Sequence, residues 1–140
     1  MFIAELIGSF LLVATVIGSG IMGEAMSDGN NAVALLGNTI ATGAILFVLI
    51  KMFGPISGAH FNPAVSIIFF LRKELDFKNL LFYICYQMIG GLLAVITIHY
   101  IFEIAIFQVS TNIRGEIPLL LSEIIATTGL ILTILFVRKN

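Results

Sequence analysis

Long apolar runs separated by short polar stretches dominate the pattern of this 140-residue chain. An apolar run of about 20 residues is long enough to cross the ~30 Å hydrocarbon core of a bilayer as a helix. The pattern predicts four such spans, at about residues 2–23, 32–53, 77–102 and 119–137. The predicted fold class is therefore an all-α membrane protein.

A shorter segment, residues 54–71, lies between the second and third spans and does not read as a span. Its two glycines and its proline are predicted to stop a continuous helix at residues 54–58. Asn62 is a favoured N-cap, and Pro63 suits the first position of a new helix. A helix over residues 63–71 would be about 14 Å long, half of the hydrocarbon core. The segment is therefore predicted to be a re-entrant loop followed by a half-helix. Irregular backbone is tolerated at membrane depth only when it is buried in protein or lines a water-filled cavity.

Composition agrees with a membrane protein and limits the other possibilities. The chain is 59% hydrophobic and 11% charged, against about 25% charged in soluble domains, and its mean hydropathy is +1.12. A single cysteine, Cys85, excludes an internal disulfide and a multi-cysteine metal site. The net charge of −1 argues against a nucleic-acid partner. No grouping of nucleophile, base or metal ligands is visible, so neither an enzyme nor a cofactor is expected.

Basic residues are distributed unevenly over the predicted connections. With the N-terminus inside, one basic residue, Arg114, is outside, and the others are cytoplasmic: Lys51, Arg72, Lys73, Lys78, Arg138 and Lys139. This bias predicts a cytoplasmic N-terminus in a multi-pass protein of the cell membrane, and argues against insertion in both orientations.

Residues 57–66 read SGAHFNPAVS and include the tripeptide Asn62-Pro63-Ala64. This string, placed between two predicted spans, resembles the first signature loop of the aquaporin or major intrinsic protein family. The resemblance implies an inverted-repeat bundle in which six spans surround two half-helices that meet at the membrane centre. It also implies a passive channel for water or small neutral solutes, a homotetramer, and no cofactor.

Residues 4–13 align with residues 122–131, so that Glu5 matches Glu123. The first segment is predicted to run outward and the second inward, as in an inverted repeat. We therefore predict a first repeat at residues 1–117 and the first span of an incomplete second repeat at residues 118–140. By resemblance, this is little more than half of a family member and not a complete pore alone.

The resemblance also assigns roles around the signature loop. The Asn62 amide would donate a hydrogen bond to a passing solute, and the carbonyls of Gly58, Ala59 and His60 would form a ladder of acceptors. The half-helix that starts at Pro63 and Ala64 would place its positive end in the pore. In aquaporin-type pores, such half-helix ends oppose the passage of protons and cations.

Asn38, Thr42 and Leu46 share one face of the second span, and Thr42 and Leu46 are predicted to line the pore. The alternative is that Asn38 and Thr42 bond neighbouring helices or their own backbone, and that Leu46 only packs. By resemblance, Thr42 occupies the position of an aromatic ring in strict water channels. A smaller hydroxyl there predicts passage of glycerol-like polyols or neutral metalloid hydroxides.

Glu5 and Glu123 are carboxylates within predicted spans, where a charge is expensive without a partner. The resemblance implies that Glu5 accepts hydrogen bonds from the re-entrant backbone, and that Glu123 braces a second such loop. The alternative for Glu5 is that its side chain reaches the cytoplasmic surface.

Two other functions are compatible with the sequence. The chain could be a half-channel that works only as an oligomer or interaction partner, although the basic-residue bias and the fourth span argue against antiparallel pairing. It could also be a small proton-coupled exporter that uses Glu5, which predicts transport that depends on a pH gradient.

Overall fold

The computed structural model describes residues 1–108 and 117–138. The helices of this part of the chain are α1 (Phe2–Met26), α2 (Asn31–Ser57), α3 (Pro63–Leu71), α4 (Phe77–Ile101) and α5 (Ile117–Arg138). All but α3 are long and apolar enough to cross a membrane. The described residues contain no strand, so the predicted all-α class with four long helices and one half-helix is confirmed.

Residues 1–106 form one compact unit, which contains α1 to α4, and α5 belongs to a second unit. The predicted boundary between two repeats, after residue 117, remains a prediction. Among the basic residues used to predict orientation, Arg114 and Lys139 lie outside the described residues. Lys51, Arg72, Lys73 and Lys78 are exposed, and Arg72 pairs with Glu74 at 2.6 Å.

Local capping chemistry sets the starts of α2 and α4. The side-chain oxygen of Asn30 accepts hydrogen bonds from the backbone N–H groups of Ala32 and Val33, at 3.1 and 3.3 Å. The Asp76 carboxylate does the same for the N–H of Asn79 at the start of α4, at 2.8 Å. These caps satisfy amide groups that have no partner within a helix.

The end of α2 differs from the prediction. The helix does not stop at residue 53 but continues through Gly54 and Pro55 to Ser57, so the expectation that residues 54–58 cannot be helical is wrong. Pro55 forfeits one backbone hydrogen bond, in the last turn of the helix. The residue before it is glycine, which lacks the Cβ that would meet the proline ring. Gly58 then ends the helix in a left-handed conformation, φ 84°, and its N–H donates to the Gly54 carbonyl at 3.0 Å.

Helix α1 packs between α2 and α4. At its start, the Phe2 ring lies 5.9 Å from the ring of Tyr83, and at its end Gly18 faces Phe102. The two helices therefore run in the same direction. A short turn at residues 27–30 reverses the chain, so α2 runs back along α1.

Two neighbouring glycines of α4, Gly90 and Gly91, lie against α1. Gly90 and Ala94 are buried, and a Cβ on Gly90 would lie 2.4 Å from the Leu6 carbonyl oxygen. Gly91 is only half-buried, beside Val13. Small residues on one face thus let α1 and α4 approach closely.

Candidate functional site

The half-helix α3 starts where the capping residues predicted. Asn62 has extended backbone, φ −149° and ψ 127°, and its side-chain oxygen accepts from the Ala64 N–H at 2.8 Å. Pro63 is the first helical residue. Because the oxygen is assigned to the helix, the amide nitrogen of Asn62 is the donor end for any other partner. The predicted helix at residues 63–71 is confirmed.

The segment that joins α2 to α3 has an unusual backbone. Gly58, Ala59 and Phe61 have φ values of 84°, 53° and 48°. Left-handed conformations at non-glycine residues cost roughly 1–3 kcal/mol each and persist only when the surroundings enforce them. The contacts around this segment must therefore hold it in place.

Glu5 supplies these contacts from the first turn of α1. Its Oε1 atom accepts from the Ser57 hydroxyl at 2.5 Å and from the His60 N–H at 3.0 Å. Its Oε2 atom accepts from the Phe61 N–H and from Gln87 Nε2, both at 2.8 Å. The side chain is 0% exposed, so the alternative in which Glu5 reaches the membrane surface is wrong.

The same contacts fix the direction of three carbonyl groups. The N–H groups of Ala59, His60 and Phe61 donate to Ser57 Oγ, Glu5 Oε1 and Glu5 Oε2. No peptide bond among the described residues is cis, and in a trans peptide the carbonyl points opposite to the N–H. The carbonyls of Gly58, Ala59 and His60 therefore point away from the buried cluster.

The side chain of His60 is turned into the protein. Its ring stacks on Phe69 with the ring centroids 4.5 Å apart, and its Nδ1 lies 3.1 Å from Ser66 Oγ. The Phe61 ring fills the space left by Gly8, where a Cβ would lie 1.9 Å from the ring. Both side chains thus anchor the segment inside the protein, while the carbonyl groups of Gly58, Ala59 and His60 point away from the buried cluster.

Sequence reasoning missed several members of this buried cluster. Gln87 Nε2 bridges Glu5 and Ser66 Oγ, the latter at 3.0 Å, and the Tyr83 hydroxyl donates to the Ser57 carbonyl at 2.6 Å. A glutamine inside an apolar span was a visible signal, since such a residue needs a hydrogen-bond partner. The sequence carries no comparable signal for Tyr83, Ser57 or Ser66.

The predicted pore face of α2 is half-buried at Asn38, Thr42 and Leu46. Thr42 Oγ1 donates to Asn38 Oδ1 at 3.2 Å, and Asn38 Nδ2 donates to the Val16 carbonyl on α1 at 3.1 Å. Asn38 thus bonds a neighbouring helix, which was the alternative to a pore-lining position. Leu46 lies one helical turn beyond Thr42 on the same face.

Glu123 is exposed on α5, within the second unit. Glu5 and the segment that joins α2 to α3 belong to the first unit. Its predicted role as a brace stays a prediction.

These features define a class of protein: a multi-pass helical membrane protein with a capped half-helix and a carboxylate-held connection before it. The family model described as major intrinsic protein matches residues 1–140. The chain belongs to the major intrinsic protein family, as its signature string suggested.

Individual relatives agree with this assignment. The aquaglyceroporin AqpS of Rhizobium meliloti (strain 1021) is 44% identical over 133 residues, which cover 95% of this chain and 57% of the relative. Aquaporin NIP3-1 of Arabidopsis thaliana is 35% identical over 74% of this chain and 32% of the relative. Aquaporin PIP2-4 of Zea mays is 37% identical over 67% of this chain and 34% of the relative. The chain thus spans little more than half, or about a third, of these relatives.

Proposed function

We propose that the chain forms one wall of a passive membrane channel for water and small neutral solutes. The main support is the direction of the Gly58, Ala59 and His60 carbonyls, whose partner N–H groups are tied to buried side chains. Acceptors fixed in this way can take over the hydrogen bonds of a dehydrating solute without rearranging. Passive conduction requires no catalytic group, which agrees with a family of channels rather than enzymes.

Asn62, Pro63 and Ala64 form the selective end of this wall in the proposal. The cap commits the Asn62 oxygen to α3, so its amide nitrogen donates to the passing solute. The unpaired N–H groups at the start of α3 carry roughly half a positive charge. That charge opposes cations, while the Asn62 donor orients each water.

Thr42 and Leu46 form the opposite, wider part of the opening in the proposal. A threonine is smaller than an aromatic ring, and one relative is an aquaglyceroporin by name. We therefore propose that glycerol-like polyols or neutral metalloid hydroxides pass as well as water.

Glu5 acts as the brace of the re-entrant segment in this proposal, and Glu123 as its counterpart in the second repeat. Four donors surround the Glu5 carboxylate. A proton carrier has to exchange its proton with water, and a side chain that is 0% exposed is poorly placed for this. The contacts thus favour the channel over a proton-coupled exporter.

We further propose that residues 1–117 and 118–140 are parts of two inverted repeats, and that the 140 residues alone do not complete a pore. The complete channel would be a homotetramer in the cell membrane with its N-terminus in the cytoplasm. The half-channel that needs a second copy remains the competing proposal.

Osmotic shrinkage of vesicles tests the proposal. Vesicles with the full product of the reading frame that contains these residues should exceed empty vesicles in water and glycerol permeability, without dependence on a pH gradient. Vesicles with the 140 residues alone should match empty vesicles. If they conduct, the half-channel that assembles from copies is the better account.

A matched pair of substitutions tests the opening. Thr42→Phe should lower the glycerol-to-water permeability ratio about tenfold, a barrier change of ~1.4 kcal/mol. Thr39→Phe is the control, because Thr39 is exposed where Thr42 is half-buried, and its hydroxyl donates to the Leu35 carbonyl of its own helix. A wild-type channel that passes water and excludes glycerol would contradict the role given to Thr42.

A further inference from the structure

The hydroxyl of Thr42 is bound differently from those of three other threonines in the described helices. Thr15, Thr39 and Thr133 each donate to the backbone carbonyl four residues earlier, at 2.8 Å. Thr42 Oγ1 donates instead to the side-chain oxygen of Asn38, at 3.2 Å. The position of this hydroxyl therefore depends on a second side chain.

The orientation of Asn38 is in turn set by the backbone of α1. Its Nδ2 donates to the Val16 carbonyl at 3.1 Å, and a carbonyl can only accept. The amide nitrogen must therefore face Val16, which leaves the amide oxygen for Thr42. Gly20 provides the space, since a Cβ there would lie 2.9 Å from Asn38 Nδ2.

We propose that Asn38 is a positioning residue that makes Thr42 a fixed hydrogen-bond acceptor in the channel opening. The inference rests on the proposed function, in which Thr42 lines that opening. With its hydrogen committed to Asn38, Thr42 Oγ1 offers only lone pairs to a solute. The opening thus favours solutes that donate O–H groups, such as polyols and neutral metalloid hydroxides.

The effect of removing Asn38 follows from the same geometry. Without the amide oxygen, the Thr42 hydroxyl would turn to the backbone carbonyl of residue 38, as Thr39 does with that of Leu35. Its oxygen would then lie against the helix and no longer meet a passing O–H group. Water is small enough to pass a wide opening without this contact and serves as the reference solute.

The test measures the glycerol-to-water permeability ratio of the full-length channel in vesicles. Asn38→Leu and Thr42→Val should each lower the ratio about fivefold, the order of effect of one neutral hydrogen bond. The double variant should be no lower than Thr42→Val alone, because Asn38 acts through Thr42. Thr42→Ser should retain the ratio, and the control Thr39→Val should leave it unchanged.

A milder variant covers the case in which Asn38→Leu does not fold. Gly20→Ala displaces the Asn38 amide through one added methyl group and should lower the ratio in the same direction. Gly91→Ala, with its nearest atom at 3.8 Å, is its control.

Three results would overturn the inference. A wild-type ratio in both Asn38→Leu and Gly20→Ala would remove the positioning role. Equal losses of water and glycerol in Asn38→Leu would make Asn38 only a clamp between α1 and α2. A wild-type channel that passes neither water nor glycerol would contradict the proposed function, and the inference that rests on it would then fail as well.

Discussion

The buried Glu5 carboxylate holds the segment that joins α2 to α3. It accepts hydrogen bonds from two backbone N–H groups of that segment and from Ser57 and Gln87. A buried charge is tolerated when such donors satisfy it, and removing one side of the arrangement leaves the other unpaired. Glu5 therefore stabilises the left-handed backbone conformations of Ala59 and Phe61, which these residues would not adopt without such contacts.

Glu5→Gln is expected to lower the free energy of unfolding by ~2–4 kcal/mol. Glutamine has one oxygen, and its NH₂ group would face donors that now meet the second carboxylate oxygen. Thermal unfolding in detergent measures the loss.

The control is Glu24→Gln, an exposed carboxylate on the same helix, which should leave the melting temperature unchanged. Equal melting temperatures for Glu5→Gln and the wild type would show that these hydrogen bonds contribute little.

The sequence predicted some side-chain roles better than others. Asn62 could be assigned as a cap because its partners lie within the next two residues. The contacts of Gln87 and Ser66 arise only after α1, α3 and α4 have packed, so no local pattern contains them. Asn38 shows the same limit, since its partner Val16 lies on another helix.

Close contact between α1 and α4 depends on Gly90 at their crossing.

Helix ends and caps follow from neighbouring residues, and so the bounds of α3 could be predicted. The end of α2 could not, because Gly54-Pro55 is compatible with a break and with a last helical turn. What decides between them is the left-handed Gly58, whose N–H closes that turn.

Gly90→Ala is expected to destabilise the protein by ~1–3 kcal/mol. The added Cβ would lie 2.4 Å from the Leu6 carbonyl oxygen, and a backbone atom cannot turn aside. The two helices would have to separate, which a lower melting temperature in detergent would reveal.

The neighbouring Gly91→Ala is the matched control. Its Cβ would meet only Val13, at 3.8 Å, and alanine favours a helix over glycine by up to ~1 kcal/mol. It should be neutral or stabilising. If both variants behaved alike, close packing at Gly90 would not be the cause.

The protein as a whole carries its described basic residues Lys51, Arg72, Lys73 and Lys78 at the end of α2 and around the turn between α3 and α4. In a membrane this arrangement favours placing these ends in the cytoplasm. This orientation could be predicted before the fold was known, because it depends on charge in the connections rather than on packing.

Cysteine labelling in intact cells tests the orientation. In a Cys85→Ser background, Met26→Cys at the end of α1 should react with an impermeant maleimide. Glu74→Cys should react only after permeabilisation. Both positions are exposed, so accessibility within the protein is matched, and the reverse labelling pattern would invert the proposed topology.

The contacts of Glu5 also have a consequence for biosynthesis. Glu5 leaves the ribosome 52 residues before Ser57 and 82 residues before Gln87. Until those residues emerge, a carboxylate drawn into the hydrocarbon lacks the donors that would offset its loss of hydration. We therefore expect the first turn of α1, which carries Glu5, to stay at the level of the lipid headgroups while later helices insert. The turn that carries Glu5 would thus reach its final depth after Gln87, which is made 82 residues later.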